Sequence, residues 1–241
     1  MSIAGNIADI EERIQKACDA SGRKRNEITL MGVSKFVPIG KVEEAYNAGI
    51  RCFGESRVKE GIEKFKLFRE KRPAVQLHLI GSLQRNKAKS AALFFDCIQS
   101  VDREVLAGEL VKHTGRRERP EPLAVLFELH TGEESKSGFS GLDDLFRAVE
   151  QVLEFANISG GIKPKGLMTM APFAPHPLRR EDKDLIRSSF RLLSNAKNEL
   201  EKRFPPKENW ACLSMGMSND FEIAVEEGST MLRIGSLIFN E

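Results

Sequence analysis

The sequence predicts a (β/α)8 barrel with one extra helix at its N-terminus, and three observations lead there. Eight short apolar, β-branched or aromatic segments alternate with amphipathic ones across 241 residues. Strands alternating with helices make a parallel sheet, and eight repeats let it close. The rival is a doubly wound open sheet, but no G-x-G-x-x-G follows the first strand, which weakens it for dinucleotides. No repeat or low-complexity linker divides the chain, and a hydrophobic content of 41% is ample for one core. Residues 1–241 are therefore expected to form one domain.

The extra helix, about Ile3–Ala20, shows apolar and charged residues at helical spacing. The first strand is Ile28–Ser34, followed by a helical pattern over Lys41–Ala48. Ile50–Phe53 is the second strand. Gly54 then permits a tight turn, and Ser56 is a plausible N-cap for a helix over Ser56–Glu70. The third and fourth strands, Val75–Ile80 and Cys97–Val101, are followed by helices over Gln84–Leu93 and Glu104–His113. A charged, proline-broken stretch, GRRERPEP, reads as a solvated loop before the fifth strand, Leu123–Leu129. A polar loop with glycines at both ends leads to the helix Leu142–Phe155. The sixth strand, Gly166–Met170, runs into a rigid proline loop, PFAPHP, and then the long helix Arg179–Phe204. Ala211–Ser214 and Met231–Ile234 complete the set, with a helix over Asn219–Glu227 between them.

Bulk chemistry narrows the function. The 37 basic and 35 acidic residues leave a net charge of +2, which demands neither nucleic acid nor an anionic membrane surface. Cys18, Cys52, Cys97 and Cys212 are far apart and form no C-x-x-C, so they read as reduced, mostly buried thiols. His78, His113, His130 and His176 show no metal-ligand spacing, and no metal is expected. The N-terminus lacks the apolar core of a signal peptide, and no apolar run approaches a bilayer span. The expected protein is soluble and cytoplasmic.

The richest chemistry lies near the C-terminus and at one early lysine. Leu213-Ser214-Met215-Gly216-Met217-Ser218 and Met231-Leu232-Arg233-Ile234-Gly235-Ser236 are both strand exits made of small residues. Such exits let backbone N–H groups approach an anion, and two side by side make a phosphate cradle. Lys35 leaves the first strand toward the same mouth, where desolvation would favour the neutral, nucleophilic amine. Lysine plus cradle suggests imine chemistry with an aldehyde cofactor, which points to pyridoxal phosphate. Taken alone, each residue has a plainer reading. Lys35 could be an ordinary exit lysine and His78 a satisfied core histidine. Met168 could be barrel filler, and Gln84-Arg85-Asn86-Lys87 either a solvated helical turn or a basic edge toward an anionic partner.

Taken together, the motifs VSKF, FGESR, LHLIGSLQRNK, EESKSGF, GLMTMAP and LSMGMSNDFEIAVEEGSTMLRIG, in this order, resemble the pyridoxal phosphate homeostasis protein family. These are single-domain relatives of the alanine racemase N-terminal barrel, and the resemblance runs from about Ile3 to Phe239. It implies a TIM barrel of that type carrying pyridoxal 5'-phosphate as a Schiff base on Lys35. It implies phosphate contacts from Ser214 and from Gly235 and Ser236, with Gly216, Met217 and Ser218 close by. Arg233 matches the arginine that faces the pyridine nitrogen in racemase-type barrels, and Ser56, His78 and Met168 fall near the cofactor. Three positions depart from the family pattern. Ser56 replaces an asparagine, Leu77 a tryptophan and Ser82 a histidine, and the first loses or shortens an amide contact to the cofactor.

The resemblance implies a carrier that buffers and delivers the cofactor, with apo-enzymes as its partners and a monomer as its form. The alternative is a pyridoxal phosphate-dependent amino acid racemase. Against it, the only tyrosine, Tyr46, falls in the helix after the first strand. The chain is also expected to end about one short helix after the eighth strand, with no second domain to donate a base. Two-base racemisation needs a proton-transfer group on each face of Cα, and beyond Lys35 no residue is evident for the other. A barrel binding some other phosphorylated metabolite, with Lys35 as an anion contact, is the third reading.

Overall fold

In the computed structural model of the chain, residues 2–115, 121–132, 137–175, 177–206 and 210–240 are described. The strands are β1 (Thr29–Val33), β2 (Cys52–Glu55), β3 (Gln76–Leu79), β4 (Cys97–Val101), β5 (Leu123–Glu128), β6 (Ile162–Met168), β7 (Cys212–Ser214) and β8 (Met231–Ile234). Each runs parallel to the next, and β8 returns to β1 with Leu30 beside Leu232 and Met31 beside Arg233. That last pairing decides between the two predicted topologies: the sheet is a closed barrel.

Strand side chains alternate between two environments, as period-two geometry requires. Leu30, Phe53, Leu77, Ile98, Val125, Phe127, Leu167, Leu213 and Leu232 point outward into one continuous apolar layer under the helices. The intervening positions fill the interior with soft, sulfur-rich side chains: Met31, Cys52 and Met231 in one group, Cys97, Leu126 and Met168 in another. All four cysteines are free thiols, as the sequence suggested.

The outer layer comprises α2 (Ile39–Asn47), α3 (Val58–Glu70), α4 (Ala88–Phe94), α5 (Glu104–Thr114), α6 (Leu142–Ser159), α7 (Arg180–Arg203) and α8 (Phe221–Glu226), with α9 (Ser236–Phe239) after β8. Before them, α1 (Ile3–Ser21) buries Ile3, Ile7, Ile10 and Ile14, a helical stripe. Its N-cap Ser2 accepts the Gly5 N–H at 3.1 Å, and it stops at Gly22 with φ 68°. It packs against α8 and α9, where the Asn6 amide donates to the Ile238 carbonyl at 3.0 Å. Trp210 is fully buried beside Phe127 and Phe204, its indole N–H donating to the Phe204 carbonyl at 2.7 Å.

Three expectations need correction. Ser56 is no N-cap, since α3 begins at Val58 with Arg57 before it and no side-chain cap bond. The expected helix from Gln84 divides into a 3-10 turn over Arg85–Lys87 and the short α4. β6 starts at Ile162, four residues earlier than expected, and runs through Pro164. Proline has no ladder donor, and the register with β5 shifts between Val125 and Leu126, where Pro164 gives way to Gly166. Gly166 has φ 147°, and a Cβ there would lie 1.8 Å from the Cys212 carbonyl oxygen, so that position excludes a side chain. Most of GRRERPEP, the Glu133–Lys136 part of the polar loop and His176 of the proline loop lie outside the described residues.

Candidate functional site

At the C-terminal ends of the strands, β1 leads through buried Ser34 into exposed Lys35. The Val37 N–H donates to the Ser34 carbonyl at 2.9 Å, closing a tight turn with Lys35 and Phe36 at its corner. Phe36 has φ 63°, a left-handed conformation that costs a side-chain-bearing residue about 1 kcal/mol. Four hydrogen bonds behind the wall hold this turn. The Ser34 N–H donates to the Gly54 carbonyl at 3.0 Å and its hydroxyl to Glu55 Oε1 at 2.7 Å. Lys64, reaching in from α3, donates to the Ser34 carbonyl at 2.7 Å and to Glu55 Oε1 at 2.9 Å. Glu55 is fully buried, and its Oε2 has no hydrogen-bond partner among the described residues. Lys35 itself is exposed at the rim, so the desolvation expected from its strand-end position is not supplied by the polypeptide.

Below the mouth a polar chain crosses the barrel interior. Arg233, buried on β8, donates from Nη1 to Ser214 Oγ at 2.7 Å and from Nη2 to the Thr169 carbonyl at 2.7 Å. Because arginine only donates, Ser214 must pass its own proton on, and it does so to Gln99 Oε1 at 2.7 Å. The Gln99 amide NH2 then faces His78 Nδ1 at 2.8 Å, which fixes that nitrogen as an acceptor. Burial pushes His78 down to about 4 and Arg233 to about 10, the latter opposed by Asp220 and Glu128, so His78 is neutral and Arg233 a cation near neutrality.

The strand seven and eight exits meet as the sequence suggested. The Arg233 N–H donates to the Gly216 carbonyl at 3.0 Å, tying the two loops together. Gly216 has φ 96°, and a Cβ there would meet Ala224 Cβ at 2.6 Å, so only glycine lets α8 sit this close. Above it the hydroxyls of Ser218 and Ser236 lie 2.9 Å apart. The Met217 N–H donates to Asp220 Oδ1 at 2.6 Å, and the Asp220 N–H donates to the Met217 carbonyl at 3.1 Å. The expected helix-dipole contribution is small, because α8 spans six residues and α9 four.

These features enclose a cavity of about 550 Å³. Lys35, Ser56, Met168, Met217, Ser218, Arg233, Gly235 and Ser236 all line it. His78, Ser214 and Gly216 do not. Ser214, expected at a phosphate, is fully buried with its hydroxyl bonded to Gln99 and Arg233, while Ser218 lines the cavity. His78 is buried below the floor. A second groove of about 800 Å³, lined by Phe36, Leu67 and Phe68, lies between α2 and α3 on the outer side of the Lys35 turn.

Sequence reasoning missed Glu128, Asp220 and Gln99. Glu128 and Asp220 are buried carboxyls lining the cavity, both raised by burial; the Ser137 hydroxyl opposes this at Glu128, the Met217 N–H at Asp220. Period-two alternation of Cys97 with Gln99, and of Leu126 with Glu128, could have marked two of them as inward-facing. No group of three or more histidine, cysteine or acidic side chains suited to a metal occurs among the described residues, and no described helix is long and apolar enough to cross a membrane. An amine at the rim, a cation at the floor and paired hydroxyls at the neighbouring strand exits suit a small ligand bearing both a carbonyl and a phosphate.

The family model for the alanine racemase N-terminal domain matches residues 6–241. The pyridoxal phosphate homeostasis protein of Aquifex aeolicus is 37% identical over 243 residues, covering 100% of this chain and 99% of the relative. That of Escherichia coli K12 is 36% identical, covering 98% and 95%. Among solved structures, PipY of Synechococcus elongatus with PLP (pyridoxal phosphate) bound superposes with a TM-score of 0.79 at 30% identity, over 99% of this chain and 100% of PipY. Clostridium difficile alanine racemase shares the fold at a TM-score of 0.70 and 15% identity, over 100% of this chain and 56% of the racemase.

Proposed function

Because the chain belongs to the alanine racemase N-terminal domain family, and within it to the pyridoxal phosphate homeostasis proteins, we propose that it binds pyridoxal 5'-phosphate at the barrel mouth to buffer and deliver that cofactor. The observation that carries this reading is that Lys35, Arg233 and the Ser218–Ser236 hydroxyl pair surround one cavity. Lys35 supplies the amine that condenses with the aldehyde, with loss of one water. The Ser218 and Ser236 hydroxyls and the backbone N–H groups of Gly235 and Ser236 would hold the phosphate. Met168 would pack against the ring, and Arg233, held by Ser214 and Thr169, would face the ring nitrogen. Arginine there donates but cannot give up its proton at working pH, so it disfavours a protonated ring. Ser56, at the wall where the family has asparagine, offers only a short hydroxyl. The same reading makes the protein a monomeric cytoplasmic carrier whose partners are apo-enzymes.

The test is borohydride reduction of protein loaded with the cofactor, followed by peptide mapping. The pyridoxyl group is expected on the peptide containing Lys35. A stable adduct found solely on Lys87 or Lys136 overturns the assignment.

A further inference from the structure

Asp220 stands where an anion site should not have a carboxylate. It is 5% exposed, lines the same cavity as Ser218 and Ser236, and lies two residues beyond Ser218. Its Oδ1 accepts the Met217 N–H at 2.6 Å, and its own N–H donates back to the Met217 carbonyl at 3.1 Å. The carboxyl is thus folded over the strand-seven exit and takes the N–H that an incoming phosphate would otherwise meet. The charges acting on it are the Arg233 guanidinium and Glu222 on its own helix, and Glu128 at the end of β5 lines the same cavity.

We infer that Asp220 is a built-in competitor of the phosphate, an internal anion that holds the affinity for phosphorylated ligands down and so lets them leave. The inference rests on the reading of the mouth as a pyridoxal phosphate site. A phosphate dianion entering beside Ser218 and Ser236 brings like charge against a desolvated carboxylate, and such a pair is unfavourable in a water-poor site. The penalty falls on the phosphate alone. It therefore distinguishes ligands by their phosphate and not by their ring, and a carrier gains release from it.

Asp220→Asn isolates the charge, because the amide oxygen can still accept the Met217 N–H. Titration calorimetry on the full chain, with pyridoxal 5'-phosphate, inorganic phosphate and phosphate-free pyridoxal as probes, reads the effect. The variant is expected to bind the two phosphate probes about tenfold more tightly or better, with pyridoxal unchanged. Equal or weaker binding of the phosphate probes by a variant with a native melting temperature overturns the inference. If Asp220→Asn melts early, Asp220→Ser takes its place, and no tightening there overturns it as well. Wild-type protein that binds no pyridoxal phosphate defeats the proposed function and this inference together. Wild-type binding without tightening in the variants defeats this inference alone.

Discussion

Burial keeps His78 neutral down to about 4, far below the range in which an unfolded chain takes up that proton. A base with a depressed folded value contributes stability that is present above about pH 6.5 and lost as pH falls toward 4. For this fully buried ring the loss amounts to roughly 3 kcal/mol. Urea melts across that interval should show wild-type stability falling, while His78→Asn, which keeps an acceptor for Gln99, should be flatter. Parallel pH profiles for the two proteins would remove His78 from the account. At this scale the sequence singled out residues most of which line the cavity, but not their depth. Lys35, Arg233 and Ser236 were legible from motifs at strand exits. That Ser214 is buried while Ser218 lines the cavity was not, because a hydroxyl at a strand end gives no sign of whether it faces a cavity or is claimed by a neighbouring arginine.

The turn bearing Lys35 belongs to two elements that are distant in sequence. β1 delivers it, but Glu55 on β2 and Lys64 on α3 fix it, through the Ser34 hydroxyl and carbonyl. Lys64→Met leaves Glu55 buried without its cation, and a broken buried pair costs about 3–5 kcal/mol. Denaturant unfolding should record that loss, and the double variant Lys64→Met with Glu55→Leu should recover most of it. Recovery should not extend to cofactor loading, because Ser34 would still lack its partners. A double variant that labels at Lys35 as fast as wild type would show that the turn needs no such support. Helix and strand periods made these elements readable in advance, with Cys97–Val101 and Met231–Ile234 matching to the residue. The start of β6 was hidden, since Ile-Lys-Pro-Lys has the look of a loop until the bulge that accommodates Pro164 is seen.

As a whole, the molecule is a ring of eight exits around one cavity, and strand order sets what can face what. β1 and β5 are four strands apart in the ring, so Glu128 stands across the mouth from Lys35. Its Oε1 is engaged by the Ser137 hydroxyl at 2.8 Å, and on the proposed reading the floor cation Arg233 would disfavour a protonated ring. Loaded protein in deuterated water should therefore exchange the Cα proton of L-amino acids far more slowly than about 1 s⁻¹, an ordinary enzymic rate. Exchange near that rate would make the protein a racemase-like enzyme rather than a carrier. Closure itself was inferable from eight alternations, yet only the β8–β1 pairing distinguishes a ring from an open sheet, and pairing between the first and last strands leaves no local trace in sequence. The lone tryptophan, Trp210, is buried between this ring and the helices, just before β7. In a domain with a radius of gyration of about 18 Å for this length, its ultraviolet emission falls within energy-transfer range of any coloured ligand at the mouth. The barrel thus contains its own optical gauge: dimming should follow loading, and brightening should time each hand-over to an acceptor without a dye being attached.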